Sequence, residues 1–258
     1  MPTEITLPSG LCGSIKELGI REENILTDPK QARSGKNLHR VLESCWEETL
    51  DPGIYNFGEK GFIIQNLLQG DGMALLIYLR IVSYGPEFFF DVNCPVCGQR
   101  IPWELDLNDF MEQKVKPLSE ESKKIIRENN GLFECVLPTC KRKVVFRLMT
   151  LREEMRFPEI RRESFDQLSS TLLNMVVQSV EGIDRQRAFF GMESYPLKDY
   201  DGPTDVLTSR DASFLRDEME EVGCGVFTTI DVECLDHGEV RVDLPFRENF
   251  LLPKRRKR

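Results

Sequence analysis

Two short motifs contain the residues best suited to bind a metal ion. The first is Cys94-Pro-Val-Cys97-Gly98 and the second is Cys234-Leu-Asp-His237-Gly238. Thiolate and imidazole groups at this spacing bind zinc when a tight turn brings them together, and the glycine permits the exit from that turn. A structural zinc site needs four protein ligands, so neither motif is sufficient by itself. Together they predict one Cys3His zinc site, formed by Cys94, Cys97, Cys234 and His237.

The flanking sequences predict that each motif joins two β-strands. Residues 88–107 and 227–246 each consist of an apolar stretch, the motif and a second apolar stretch. We call these segments the first and second knuckle. Phe-Asp-Val-Asn precedes Cys94 much as Ile-Asp-Val-Glu precedes Cys234. These matched flanks favour pairing the two motifs, although 136 residues separate Cys97 from Cys234.

Other interpretations of the cysteines remain open at the sequence level. Cys94 and Cys97 could be buried or redox-active thiols, with His237 a histidine of a turn. A thioredoxin-like redox pair lies where a strand meets a helix, however, and here a strand-like Trp-Glu-Leu-Asp-Leu follows. Cys135 and Cys140 leave a second metal site open, but no third and fourth ligands are evident.

The order of short motifs predicts two similar halves, with chance similarity of short elements as the alternative. A Leu-Pro turn, a strand, an Arg-Glu-Glu start of a helix, a later helix and a knuckle occur in the same order twice, at offsets of 130 to 140 residues. The equivalent positions are Leu7 and Leu137, Arg21 and Arg152, Asp71 and Asp211, and Cys94 and Cys234. The sequence therefore predicts an α+β fold of pseudo-duplicated halves, residues 1–130 and 131–258. Each half has a hairpin, helices and a knuckle, and the halves share one zinc-ribbon-like site.

Apolar spacing predicts the main helices. One helical face is formed by Leu38, Val41, Leu42, Cys45 and Trp46, and another by Leu168, Leu172, Met175, Val176 and Val180. The helix from Asp71 to Tyr84 is apolar enough to be buried, whereas the helix from Asp211 to Glu221 is amphipathic.

Composition limits the class of protein. With 258 residues, 40% hydrophobic and 30% charged, the chain is typical of a globular protein with a large core. We expect no membrane span and no signal peptide, and therefore a reducing cytosol. The net charge is −9, although residues 254–258 form a basic tail. An acidic body argues against broad contact with nucleic acid.

The sequence does not favour an enzyme. There are two histidines, His39 and His237, and one of them is assigned to the metal. Gly70-Asp-Gly72 lacks the context of a phosphate-binding loop. The many carboxylates, such as Glu22 and Glu153, are typical of helix starts, although a paired-carboxylate hydrolase remains open.

The chain resembles a known protein family. The Leu-Pro turns, the Arg-Glu-Glu helix starts and above all residues 68–98 are similar to the baseplate hub proteins of T-even-like contractile-tailed phages. The resemblance extends from Leu7 to about Leu244. It implies a non-enzymatic role in building the central hub of a phage tail baseplate, in the virion or in the host cytoplasm during assembly, with other hub or tail proteins as partners.

Two hypotheses follow. The first is a structural or assembly protein of the baseplate hub, with a contact region at residues 184–209 and the basic tail. The apolar and aromatic side chains of that region are Phe189, Phe190, Met192 and Tyr195, which could anchor an interface or pack onto the protein's own core. The second is a zinc-ribbon regulator that binds nucleic acid through the tail. The knuckle flanks are mostly acidic, which favours the first hypothesis.

Overall fold

The computed structural model describes residues 2–28, 36–155, 173, 175–182, 207–246 and 250–252. Within these residues the chain forms seven α-helices, two short 3-10 turns and five small antiparallel sheets. The predicted mixture of helices and strands is confirmed.

The first sheet contains strands β1 (Thr3–Thr6), β2 (Cys12–Ile15) and β3 (Trp46–Asp51), paired in the order β1-β2-β3. Helices α1 (Ile20–Thr27) and α2 (Lys36–Cys45) connect β2 to β3. The prediction that Trp46 extends the face of α2 was wrong: the helix ends at Cys45, and Trp46 begins a strand because its backbone pairs with β2.

The first knuckle follows a buried helix. Short 3-10 turns at Gly58–Lys60 and Ile64–Asn66 lead to helix α3 (Gln69–Tyr84), which ends where Gly85 adopts a φ of 87°. Strands β4 (Glu87–Asn93) and β5 (Arg100–Asp106) then form a hairpin. Alternate residues of β4 are buried, as expected for a strand with one face on the core.

A charged segment follows the first knuckle. It contains helix α4 (Leu107–Lys114), strand β6 (Val115–Lys116) and helix α5 (Glu120–Glu128). The side chain of Asp106 caps α4, and the Ser119 hydroxyl accepts a hydrogen bond from the backbone of Ser122 at the start of α5.

The second sheet contains β7 (Phe133–Val136), β8 (Lys143–Phe146) and β9 (Val177–Val180), in the order β7-β8-β9. Helix α6 (Leu151–Glu154) follows β8. The prediction of a helix up to Val180 was wrong at its end, because Val177–Val180 pairs with β8 as a strand. The β-branched valines suit that strand, whereas positions 168 and 172 lie outside the described residues.

The second knuckle follows the second long helix. Helix α7 (Ser209–Val222) leads to β10 (Gly225–Val226), which pairs with β6. Strands β11 (Thr229–Cys234) and β12 (Gly238–Asp243) then form the second hairpin. As predicted, α3 is largely buried, whereas in α7 the buried residues are Asp211 and Leu215.

The second and third strands pair in the same register in both three-stranded sheets. Ile15 pairs with Trp46 in the first sheet, and Phe146 pairs with Val177 in the second. Phe146 lies 131 positions after Ile15, and Val177 lies 131 positions after Trp46. In both sheets the register shifts immediately before this pair.

A buried aspartate connects each Leu-Pro turn to a helix. Oδ1 of Asp71 accepts the backbone N–H of Ser9 at 2.9 Å, and Oδ1 of Asp211 accepts that of Thr139 at 2.7 Å. Both acceptors are fully buried. Each aspartate thereby fixes a turn that is distant in the sequence.

The buried apolar side chains form two clusters. The larger one combines the first sheet, α3 and both knuckles. The smaller one contains β7, β8, β9 and α7. Both knuckles therefore pack into one core, and the predicted boundary between residues 130 and 131 stays a prediction.

Candidate metal centre

The four predicted ligands lie on two turns that face each other. Cys94 and Cys97 are on the turn between β4 and β5, and Cys234 and His237 are on the turn between β11 and β12. Gly98 and Gly238 close these turns with φ values of 74° and 68°, a region that glycine enters without steric cost. The two hairpins contact each other through β5 and β11.

The ligand atoms form a compact group. All four lie within 4.8 Å of one another. Sγ of Cys97 is 3.9 Å from Sγ of Cys234, and Nδ1 of His237 is 3.8 Å from Sγ of Cys94 and 3.7 Å from Sγ of Cys234. Sulfur atoms at about 2.3 Å from one tetrahedral zinc are about 3.8 Å apart, and sulfur and nitrogen are slightly closer. The donor set and these distances fit a zinc ion.

Burial differs between the ligands of each turn. The first ligand of each motif, Cys94 or Cys234, is 2% or 1% exposed. The second, Cys97 or His237, is exposed. The site is therefore at the surface, with its inner side against the apolar faces of the hairpins.

Backbone groups of the first turn favour a thiolate. The N–H groups of Cys97 and Val96 donate to Cys94 and lower the pKa of its thiol to about 7. The N–H of Gln99 donates to Cys97, but desolvation and the neighbouring thiols of Cys94 and Cys234 outweigh it and raise the pKa of Cys97. Three adjacent thiols thus resist ionising together unless a cation compensates their charge.

Gln99 is a functional candidate that the sequence did not reveal. Its Oε1 lies 3.8 Å from Sγ of Cys234, on the opposite hairpin. The oxygen and nitrogen of a side-chain amide exchange places by a flip, and toward a thiolate the NH2 group is the donor. The position of Gln99 after the Cys-x-x-Cys-Gly motif was visible in the sequence, but its contact with Cys234 was not.

The other cysteines do not form a comparable group. Among the described residues, the four ligands are the one set of three or more metal-binding side chains that converge. Burial raises the pKa of Cys135 to about 11 and that of Cys45 to about 12, as expected for packed thiols. The redox interpretation of the Cys94–Cys97 pair lacks its context, because that pair joins two strands.

His39 and Lys116 are packed or hydrogen-bonded within the fold. His39 is buried in α2, with 5% of its surface exposed. A cavity of about 370 Å³ lies between the start of α3 and the end of α7. Its lysine, Lys116, donates from Nζ to the backbone carbonyls of Glu220 and Glu221 at the C-terminus of α7.

The predicted contact residues lie outside the described part of the chain. They are Phe189, Phe190, Met192, Tyr195 and the tail at residues 254–258.

The comparisons define the class of protein as a component of a phage tail. A model of the family described as T4 bacteriophage base plate protein matches residues 4–240. The chain belongs to this family. Comparison with curated proteins and with solved structures gave no match.

Family membership implies a structural rather than a catalytic role, a location in the virion tail and contacts with other tail proteins. The resemblance to baseplate proteins inferred from the sequence is therefore confirmed. In the described part of the chain, no helix combines the length and the apolar character needed to cross a membrane.

Proposed function

We propose that this chain is a structural or assembly protein of the baseplate hub, and that it acts through contacts with other hub or tail proteins. The observation that carries the proposal is the family match over residues 4–240. The protein would act in the virion tail baseplate, in the host cytoplasm during assembly, or in both.

A single zinc ion, bound by Cys94, Cys97, Cys234 and His237, would stabilise this scaffold. The support is the convergence of three thiols and one imidazole within 4.8 Å. Four protein ligands leave no coordination position for a substrate, so the metal would be structural. It would connect two hairpins that are far apart in the sequence.

The scaffold would consist of two pseudo-duplicated halves that share this zinc-ribbon-like site. The support is that β2 and β3 pair in the same register as β8 and β9, with equivalent residues 131 positions apart. The equivalent contacts of Asp71 and Asp211 support it further. Two facing halves would explain why the ligand pairs are so far apart in the chain.

A deletion of the gene in the parent phage tests the hub role. We expect the lysate to contain heads but few complete baseplates in negative-stain electron micrographs, and the wild-type gene supplied in trans to restore them. Mass spectrometry of purified particles then distinguishes a virion component from an assembly factor. Normal numbers of complete baseplates in the deletion lysate would contradict the proposal.

A further inference from the structure

The outer face of the second knuckle has two like charges opposite each other, next to the turn that contains Cys234 and His237. Glu233 and Glu239 are direct cross-strand partners on β11 and β12, and both are exposed. Like charges in this position destabilise a hairpin. The next pair on the same face, Asp231 and Arg241, is complementary, with Oδ1 and Nε 3.1 Å apart. The repulsive pair is therefore specific to the end of the hairpin that contains Cys234.

Exposed apolar side chains lie on both turns that contain the candidate ligands. Leu235 is 90% exposed, and Val96 on the facing turn is 66% exposed. Each is the chain neighbour of a ligand, Leu235 of Cys234 and Val96 of Cys97, and the Sγ atoms of these two ligands are 3.9 Å apart. A metal ion bound by these ligands would hold the backbone at two exposed apolar positions on adjacent turns. We call Val96, Leu235, Glu233 and Glu239 the knuckle tip.

The charge around the knuckle tip is strongly acidic. Residues 87–106 and 229–243 contain nine Asp or Glu, two Arg and no Lys. Each arginine already pairs across its own hairpin, Arg100 with Asp91 at 2.5 Å and Arg241 with Asp231 at 3.1 Å. The acidic charge that remains attracts a cationic surface and repels an anionic one.

The acidic charge limits which kinds of partner can bind the knuckle tip. Nucleic acid and anionic lipid surfaces would be repelled. A second copy of the same tip would bring like charges together, which opposes self-association. Among the described residues, the acidic side chains do not converge as a cation site, since the one converging group is the Cys3His set. A protein surface that combines Lys or Arg with an apolar pocket would bury the side chain of Leu235 and compensate the charge of the glutamate pair.

We propose that the knuckle tip docks a partner tail protein that presents Lys or Arg beside an apolar pocket, with Leu235 in the pocket and the Glu233–Glu239 pair against the cation. This inference rests on the proposed function, since it names the surface through which the hub contacts would be made. An apolar centre enclosed by a polar rim is the usual arrangement of a protein–protein interface, and Leu235 beside the glutamate pair matches it.

Charge reversal separates docking from folding. In the isolated protein, Glu239→Lys replaces a repulsive pair with an attractive one opposite Glu233, so we expect an equal or higher melting temperature and unchanged metal content. In a complementation assay of the gene deletion, we expect the same variant to lower the yield of infectious particles at least tenfold. Glu43→Lys, at an exposed position of α2, makes the same charge change as a control and should leave the yield unchanged.

The role of Leu235 is tested in the same complementation assay. Leu235→Ser should lower the particle yield at least tenfold with unchanged melting temperature and metal content, because the side chain has little contact with its own protein. Val136→Ser, at a 58% exposed position of β7, is the matched control. Full particle yield with both Leu235→Ser and Glu239→Lys would overturn the docking surface.

A photo-crosslinking amino acid at position 235 identifies the occupant in infected cells. A crosslinked peptide of another tail protein that contains Lys or Arg supports the proposal. A peptide of this chain would show a second copy, and it would overturn the proposal, as would crosslinks to nucleic acid alone. Failure of the proposed function is distinguishable, because complete baseplates would then form in the deletion lysate without any complementing gene.

Discussion

The Sγ atoms of Cys97 and Cys234 lie 3.9 Å apart, although 137 positions separate the two residues in the chain. Cys97 belongs to the hairpin of β4 and β5, and Cys234 to that of β11 and β12. Both hairpins bury their inner faces in the larger core. The apolar packing therefore positions the turns, and a metal ion would link two hairpins that the core has already brought together.

We expect one zinc ion per chain and loss of that ion in Cys94→Ser. The substitution removes a buried ligand, and we expect a cost of at least about 3 kcal/mol, or roughly 6–12 °C in melting temperature for a chain of this size. Elemental analysis and thermal unfolding with and without a chelator measure both effects. Cys135→Ser, which changes a thiol outside the site, should keep its zinc. Wild-type protein purified without chelator and free of zinc would refute the metal site.

Zinc affinity should decrease as the pH falls. Each cysteine ligand must lose its proton to bind, so protons compete with the metal. The pKa of Cys94 is lowered to about 7, so this thiol adds to the competition below about pH 7. Titration with a competing chelator between pH 8 and pH 6 measures the effect, and unfolding of chelator-treated protein over the same range controls for general stability. A pH-independent affinity would show that thiolates do not bind the ion.

Gln99→Ala should weaken zinc binding without removing a ligand. The amide contacts Sγ of Cys234 from the opposite hairpin, and loss of such a ligand contact typically reduces metal affinity about 10- to 100-fold. We expect faster transfer of zinc to a chelator at little change in melting temperature. Asn93→Ala, an exposed amide near the same turn, provides the control. Equal transfer rates for the two variants would assign Gln99 no role at the site.

The two buried aspartates should respond to pH in opposite directions. Burial raises the pKa of Asp71, although Ser9 and Tyr55 donate hydrogen bonds to it. The folded state therefore holds the proton more tightly than the unfolded state, and the contribution of Asp71 to stability declines as the pH rises above about 3.9. Hydrogen bonds from Thr139 and Thr208 lower the pKa of Asp211 despite desolvation. The contribution of Asp211 to stability is complete above about pH 3.9 and is lost on acidification.

Asp71→Asn and Asp211→Asn test this difference directly. We expect each to cost about 1–3 kcal/mol because a buried hydrogen-bond network is disturbed. The cost for Asp71→Asn should be larger at acidic than at neutral pH, and the cost for Asp211→Asn should be smaller at acidic pH. Urea unfolding at pH 3.5, 5 and 7 provides the free energies. Parallel pH profiles for the two variants would contradict the assignment.

Local chemistry explains which parts of the fold could be predicted. The helix from Asp71 to Tyr84 was recognised because its residues are apolar and a glycine, Gly85, follows as a C-cap. In the structure Gly85 has a positive φ and ends the helix. The knuckles were recognised because short ligand spacing, glycine and flanking apolar stretches are all adjacent in the chain. Such signals depend on neighbouring residues and need no knowledge of the rest of the fold.

The third strand of each sheet was missed for one physical reason. Trp46–Asp51 and Val177–Val180 follow helical residues directly, and their apolar side chains continue the spacing of a helix. Their extended conformation is stabilised by hydrogen bonds to β2 and β8, which are distant in the sequence. Local propensity is weak compared with such pairing.

The sequence by itself determined the candidate metal ligands, the two strand–turn–strand segments that contain them and the resemblance to baseplate proteins. Only the tertiary structure decided that the turns face each other, that Cys94 and Cys234 are buried while Cys97 and His237 are exposed, and that Gln99 and the Glu233–Glu239 pair lie beside them. These relationships join residues across long loops. They depend on the packing of both knuckles into one core, which periodicity and spacing do not specify.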